Sequence, residues 1–241
     1  MRINPNEIQL AKNHNDIFKI FNQCNRMFNE NDIEYYYTSG ILSYTLVDKP
    51  LQRYHHDLDI YVNLDDLGRL EDICGQYGFE FKRVLGDRED KTKRIMIKMY
   101  YEGIREIPIT LFMYERKKDG TIEQSDFFID DNHIYVEKMY NSKETVDLSF
   151  SDKDYYNDGI KYHAITLEAL YLCKDGNRSK DIYDCQQFER FVDKGKLELL
   201  KKEVKNNKKN EVFDAESDKY YSFITRNLEI SKEAVLKLDR L

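Results

Sequence analysis

The 241-residue chain has no tryptophan, three prolines, ten glycines and four cysteines. Cys24, Cys74, Cys173 and Cys185 are widely spaced and form no paired metal-ligand motif. That spacing excludes a zinc-knuckle module and, with no secretory context, a disulfide framework, so reduced thiols are expected. No apolar run approaches the ~20 residues that a bilayer crossing needs. Met1-Arg2-Ile3-Asn4-Pro5 also lacks the apolar stretch of a signal peptide. The sequence therefore predicts a cytoplasmic protein without a membrane segment. Positive charge is in deficit as well. A net charge of -7 disfavours a sequence-independent grip on nucleic acid, which requires a basic surface. Lys201, Lys202, Lys205, Lys208 and Lys209 cluster, but acidic residues flank them and a solvated helix face or loop accounts for the run.

What the chain does have is a pair of aspartates one residue apart, in Arg53-Tyr54-His55-His56-Asp57-Leu58-Asp59-Ile60-Tyr61-Val62. On a β-strand, side chains at i and i+2 share a face, so Asp57 and Asp59 project together while Leu58 and Ile60 pack behind them. Two like charges held that close are costly unless protonation or a cation neutralises them. Mg²⁺ prefers such hard oxygen ligands, with substrate phosphates completing its shell. Two ions about 4 Å apart could activate an attacking hydroxyl and stabilise a pyrophosphate leaving group.

Around this pair the patterning predicts an opening helix over Asn6 to Asn29, broken near Asn13 to Asn15, and a short strand at Glu34 to Thr38. Ser39-Gly40 turns into an apolar helical stretch, Ile41 to Val47, which Lys49-Pro50 ends. After the aspartate strand, a helix capped by Asn63 or Asp65 runs to about Tyr77, and Gly78 stops it. Phe79 to Val84, Arg94 to Tyr101 and Ile104 to Tyr114 read as a β-meander, with further strands at Ile122 to Ile129 and His133 to Val136. A polar, acidic stretch from Ser149 to Gly159 reads as a linker. Beyond it, helical patterns over Leu167 to Lys174 (capped by Thr166), Arg178 to Val192, Lys196 to Lys205 and Asp214 to Leu241 suggest a bundle. The organisation expected is a catalytic domain over residues 1–150 and a helical C-terminal domain over 160–241.

Thr38-Ser39-Gly40, a helix, then Arg53-x-His55-x-Asp57-x-Asp59 resembles the nucleotidyltransferase superfamily related to DNA polymerase β. Within it, the likeness is to the lincosamide and aminoglycoside 2″-type antibiotic adenylyltransferases. A second segment, Lys174-Asp175-Gly176-Asn177-Arg178-Ser179-Lys180-Asp181-Ile182-Tyr183-Asp184, is similar to their Lys-x-x-x-Arg-x-Lys-Asp-x-x-Asp pattern. The resemblance covers residues 32 to 190. It implies an α/β (α+β) nucleotidyltransferase fold: a mixed, largely antiparallel sheet flanked by helices, plus the helical bundle. It further implies that Asp57 and Asp59 are catalytic and hold Mg²⁺. Ser39, Gly40, Arg53, His55 and Lys174 would bind the nucleotide, with ATP the donor and a hydroxyl of a small molecule the acceptor. Backbone chemistry agrees for Ser39-Gly40, since glycine permits close approach to phosphate and the following helix presents N–H groups.

The sequence departs from that family at the third carboxylate. Ile109-Thr110-Leu111 occupies the expected position and carries threonine, which cannot serve as a base. Glu106 shares strand parity with Thr110 and becomes the candidate base. Without it, the chain would be a catalytically weakened nucleotide binder. Two other classes compete. His55-His56-Asp57 invites comparison with histidine-aspartate phosphohydrolases, against which the strand pattern argues. A toxin-antitoxin module acting on tRNA or protein would need a basic groove, for which Lys91, Lys93, Arg94 and Lys98 are the catalytic-domain candidates. The overall acidic charge instead suits a cationic small acceptor. No motif indicates an oligomeric state.

Overall fold

The computed structural model describes residues 5–87, 92–130, 133–174, 178–207, 211–226 and 228. Helix α1 (Pro5–Glu30) precedes strand β1 (Tyr35–Tyr37), the single turn α2 (Leu42–Thr45), strand β2 (Leu58–Asn63) and helix α3 (Leu67–Cys74). Five longer strands follow: β3 (Phe79–Asp87), β4 (Lys93–Tyr101), β5 (Ile104–Arg116), β6 (Ile122–Asp130) and β7 (His133–Asn141). Helix α4 (Lys143–Ser149) leads to a small hairpin, β8 (Tyr155–Asn157) and β9 (Ile160–Tyr162). Helices α5 (Leu167–Cys173), α6 (Ser179–Phe188) and α7 (Lys194–Asn206) come next, then strand β10 (Glu211–Asp214) and helix α8 (Tyr221–Thr225).

The sheet has eight strands in the order β1-β2-β5-β4-β6-β7-β10, with β3 on β4. It is mixed and largely antiparallel, as the sequence predicts, and β2 on β5 is its parallel pairing. It forks at β5, whose first half pairs with β4 and whose second half pairs with β6. Strand alternation sorts the side chains. Leu58, Ile60 and Val62 of β2, Ile109 and Leu111 of β5, and Ile97 and Met99 of β4 are buried in one core with Ile17, Ile20 and Phe21 of α1 and Leu67 and Leu70 of α3. Burying each such side chain stabilises the fold by roughly 1.5–3 kcal/mol. The opposite parity of the same strands carries Asp59, Tyr61, Thr110, Phe112 and Lys98, all half-buried.

The local signals explain the element ends. Asn63 accepts from the Asp65 N–H at the entry to α3, and Gly78, at φ 78°, closes the segment in the left-handed region that glycine adopts freely. The Thr166 hydroxyl caps α5 by accepting from the Ala169 N–H.

Four expectations change. The opening helix is continuous through Asn13 to Asn15, because Asn13 and His14 spend their polar atoms on the loop before β2 rather than on their own backbone. The helix after Gly40 shrinks to the single turn α2. The acidic linker instead supplies β8 and the turn of the hairpin β8–β9, and Phe150 bridges to Ile165 across its base. The C-terminal part is more than a bundle. After α7 the chain returns to the sheet, where β10 pairs with β7 and the Arg83 Nε–H donates to the Phe223 carbonyl in α8 at 2.8 Å. Leu170, Phe188, Leu200 and Ile224 accordingly join the same core as the sheet. Half of the amphipathic segment expected up to Leu241, with Val235 and Leu238, lies outside the described residues, as do Lys91, Lys208 and Lys209.

Candidate active site

The two aspartates stand where β2 begins. Asp57 is exposed at the strand's mouth, and Asp59 is half-buried one step in. β1 fixes their backbone, since the Thr38 N–H donates to the Asp59 carbonyl at 2.9 Å and the Ser39 hydroxyl to the Asp57 carbonyl at 3.4 Å. α1 holds the approach to the strand. Asn13 brackets His55, accepting from its N–H and donating to its carbonyl, both at 2.8 Å, and the His14 ring lies 2.9 Å from the Arg53 carbonyl. Burial, then the neighbouring Asp57 charge, push the Asp59 carboxyl up to about 6, against the lowering effect of Lys174, Lys180 and Lys98. A cation at this pair would relieve that unfavourable ionisation.

The opposing wall comes from α5 and α6. Asp184, fully buried on α6, accepts from Arg53 Nε at 2.7 Å and Nη2 at 2.6 Å, from Lys174 Nζ at 2.8 Å and from the Tyr44 hydroxyl at 3.4 Å. Burial alone would raise this carboxyl. The hydrogen bonds from Arg53 and Lys174 outweigh burial and hold it below the usual range. Breaking such a buried pair from one side costs about 3–5 kcal/mol. Asp181, also buried, holds Arg178 Nε at 2.5 Å and lies 3.7 Å from Lys174 Nζ. The network explains Gly40. A Cβ there would sit 2.5 Å from Arg53 Nη2, so glycine leaves room for a guanidinium that Asp184 holds in place.

Between the two walls lies a cleft of about 240 Å³ lined by Thr38, Gly40, Arg53, His56, Asp57, Asp59, Tyr61, Phe112, Cys173, Lys174, Arg178, Lys180 and Asp181. Of the residues singled out in the sequence, the fold brings Asp57, Asp59, Gly40, Arg53 and Lys174 together here. Three others stand elsewhere. Ser39 is buried with its hydroxyl on the Asp57 carbonyl, so it supports the strand from behind. His55 is buried against Tyr44, with ring centroids 5.7 Å apart, and burial, with help from Arg53, lowers its pKa to about 3. It is a neutral core residue, while the adjacent His56 reaches the cleft. Glu106 has the expected parity but lies before the segment in which β5 pairs with β2, exposed and 4.0 Å from Lys12. It does not reach the cleft, and the base assignment falls with it. The fold also disperses the candidate basic groove: Arg94 is paired with Asp126, and Lys98 faces Asp59.

Thr38, Tyr61, Phe112, Arg178 and Lys180 are cleft residues that carried no site assignment in the sequence. Arg178 and Lys180 belong to the Lys174–Asp184 segment, which was the available signal. Tyr61 and Phe112 could have been found by extending the Asp59 parity along β2 and across to β5. Among the described residues, no group of three or more His, Cys, Asp or Glu side chains is gathered. Asp57 and Asp59 thus form a two-carboxylate donor set, which suits one Mg²⁺ whose remaining ligands are phosphate oxygens and water.

The structure is similar to the solution structure of the antibiotic-resistance factor ANT(2'')-Ia, with TM-score 0.53 and 12% identity, covering 80% of this chain and 93% of that one. It is similar also to the crystal structure of ANT(2'')-Ia in complex with adenylyl-2''-tobramycin, with TM-score 0.52 and 12% identity over 80% of this chain and 98% of the other. The likeness to the lincomycin-bound lincosamide antibiotic adenylyltransferase LnuA has TM-score 0.47 and 16% identity, over 74% and 97% of the two chains. The fold is therefore shared with ANT(2'')-Ia. No family model matches the chain, and no curated protein matches it in sequence.

Proposed function

We propose that the protein is a nucleotidyltransferase that moves a nucleoside monophosphate, AMP from ATP, to a hydroxyl of a small molecule. The observation that carries this is the convergence of Asp57 and Asp59 with Gly40, Arg53, Lys174, Arg178 and Lys180 on one cleft. Two carboxylates suit the metal of a metal-nucleotide, and the cations suit its phosphates. Mg²⁺ bound at Asp57 and Asp59 would draw charge off the phosphate oxygens. Lys174, fixed by Asp184, would hold the triphosphate as a point charge, while Arg178 and Lys180 meet it from the rim. Tyr61 and Phe112, their rings tilted 52° to each other, offer an aromatic wall to a nucleobase or to the acceptor. In the transfer, the acceptor hydroxyl oxygen bonds to the α-phosphorus and its proton passes to water. The bond from that phosphorus to the bridging oxygen breaks, and its electron pair leaves with pyrophosphate.

The fold-related ANT(2'')-Ia is an antibiotic-resistance factor solved in complex with adenylyl-2''-tobramycin, which supports a small hydroxylated acceptor over tRNA or protein. Incubation with α-labelled ATP, Mg²⁺ and separate pools of aminoglycosides, lincosamides, tRNA and cell protein tests the proposal. Label is expected in one small-molecule pool, lowered at least 100-fold in an Asp57→Asn/Asp59→Asn variant. Label in tRNA or protein would overturn the acceptor class, and loss of phosphate from ATP without transfer would make the protein a hydrolase.

A further inference from the structure

One row across the sheet starts at the cleft residue Asp59. The β2–β5 register sets Asp59 opposite Thr110, and the β4–β5 register sets Thr110 opposite Lys98. The row continues to Lys82 on β3, which pairs with Glu80 at 3.0 Å. All three central positions have the parity opposite to the core. Adjacent strands are about 4.8 Å apart, so Asp59 and Lys98 are separated by about 10 Å at the backbone, within reach of a lysine side chain. Lys98 has no ion-pair partner among the described residues, and its charge acts on Asp59.

A second divalent ion beside Asp59 would add two positive charges, which a further carboxylate on this row would be needed to offset. The nearest position carries a neutral threonine, and the next a cation that repels it. Resting on the nucleotide-binding function proposed above, we propose that the site takes one divalent ion per chain, delivered with the nucleotide to Asp57 and Asp59. The Lys98 ammonium supplies the second positive charge beside the phosphates. The expectation of two ions drawn from the aspartate pair is thereby revised.

The count can be read directly. Mn²⁺ titrated into the full-length protein with a non-hydrolysable ATP analogue, followed by electron paramagnetic resonance, is expected to saturate at one ion per chain. Thr110→Asp, which places a third carboxylate next to Asp59, is expected to raise the count to two. Lys98→Gln should weaken binding of the Mn-nucleotide about tenfold, with Lys98→Arg restoring it. Two ions in the unmodified protein would overturn the proposal while leaving nucleotide binding intact. So would one ion in a folded Thr110→Asp chain, or unchanged affinity in Lys98→Gln. Absence of any Mn-nucleotide binding would contradict the nucleotide-binding function itself.

Discussion

The properties of the cleft depend on a few side chains whose neighbours change their chemistry. Asp59 is the clearest. Its folded-state pKa is raised from 3.8 to about 6 by burial and by Asp57. Without metal, the folded chain holds that proton better than the unfolded chain, so its contribution to stability is lost as pH rises from about 4 to about 6 and stays flat above. Asp59→Asn is therefore expected to raise the melting temperature of the metal-free protein distinctly less at pH 4.5 than at pH 7.5. The same difference at both pH values in a thermal melt would contradict the assigned environment. Asp184 behaves oppositely. Arg53 and Lys174 keep it ionised, and their attraction is lost only in acid, as pH falls through its lowered pKa. This carboxylate links the β2 loop to α6, and it is what makes Gly40 sterically necessary.

At the level of elements, α1 does more than cover the sheet. Asn13 holds both backbone groups of His55, and His14 reaches the Arg53 carbonyl, so one helix sets the loop that delivers Arg53 and Asp57. Asn13→Ala strands two buried backbone groups. It is expected to cost about 1–3 kcal/mol, read by urea unfolding, with weaker nucleotide binding because the Arg53 loop loosens. Wild-type stability in that variant would show that the bracket has no structural role. The strands and their faces were legible in the sequence because alternation with period two is local, which is why the Asp57-Leu58-Asp59 strand and the meander were placed well. Four features were not legible. The loop before β2 has no period, so choosing between His55 and His56 required the Asn13 bracket. Parity does not show where pairing starts, which misled the choice of Glu106. The register of β4 on β5, which brings Lys98 to Asp59, is a long-range property that no local pattern encodes. The return of β10 and α8 to the sheet is of the same kind.

Across the whole molecule, a chain of net charge -7 concentrates Arg53, Lys174, Arg178 and Lys180 around three aspartates, Asp57, Asp59 and Asp181, in one cleft. The surplus of negative charge thus lies away from the candidate site. Overall charge is a poor guide to what enters the cleft, and the rim's cations suit phosphates better than the global balance suggests. One continuous core joins the sheet to the C-terminal helices, so Lys174 and Asp184 are held rigidly across from Asp57 and Asp59. The central claim is that these opposed walls hold a metal-bound nucleoside triphosphate. Isothermal titration of a non-hydrolysable ATP analogue, with and without Mg²⁺, into the protein and a folded Asp57→Asn/Asp59→Asn variant tests it most directly. Mg²⁺-dependent binding at one site per chain, weakened at least 100-fold in the variant, is the result predicted. Binding equally tight without Mg²⁺, or unaffected by loss of both aspartates, would contradict it.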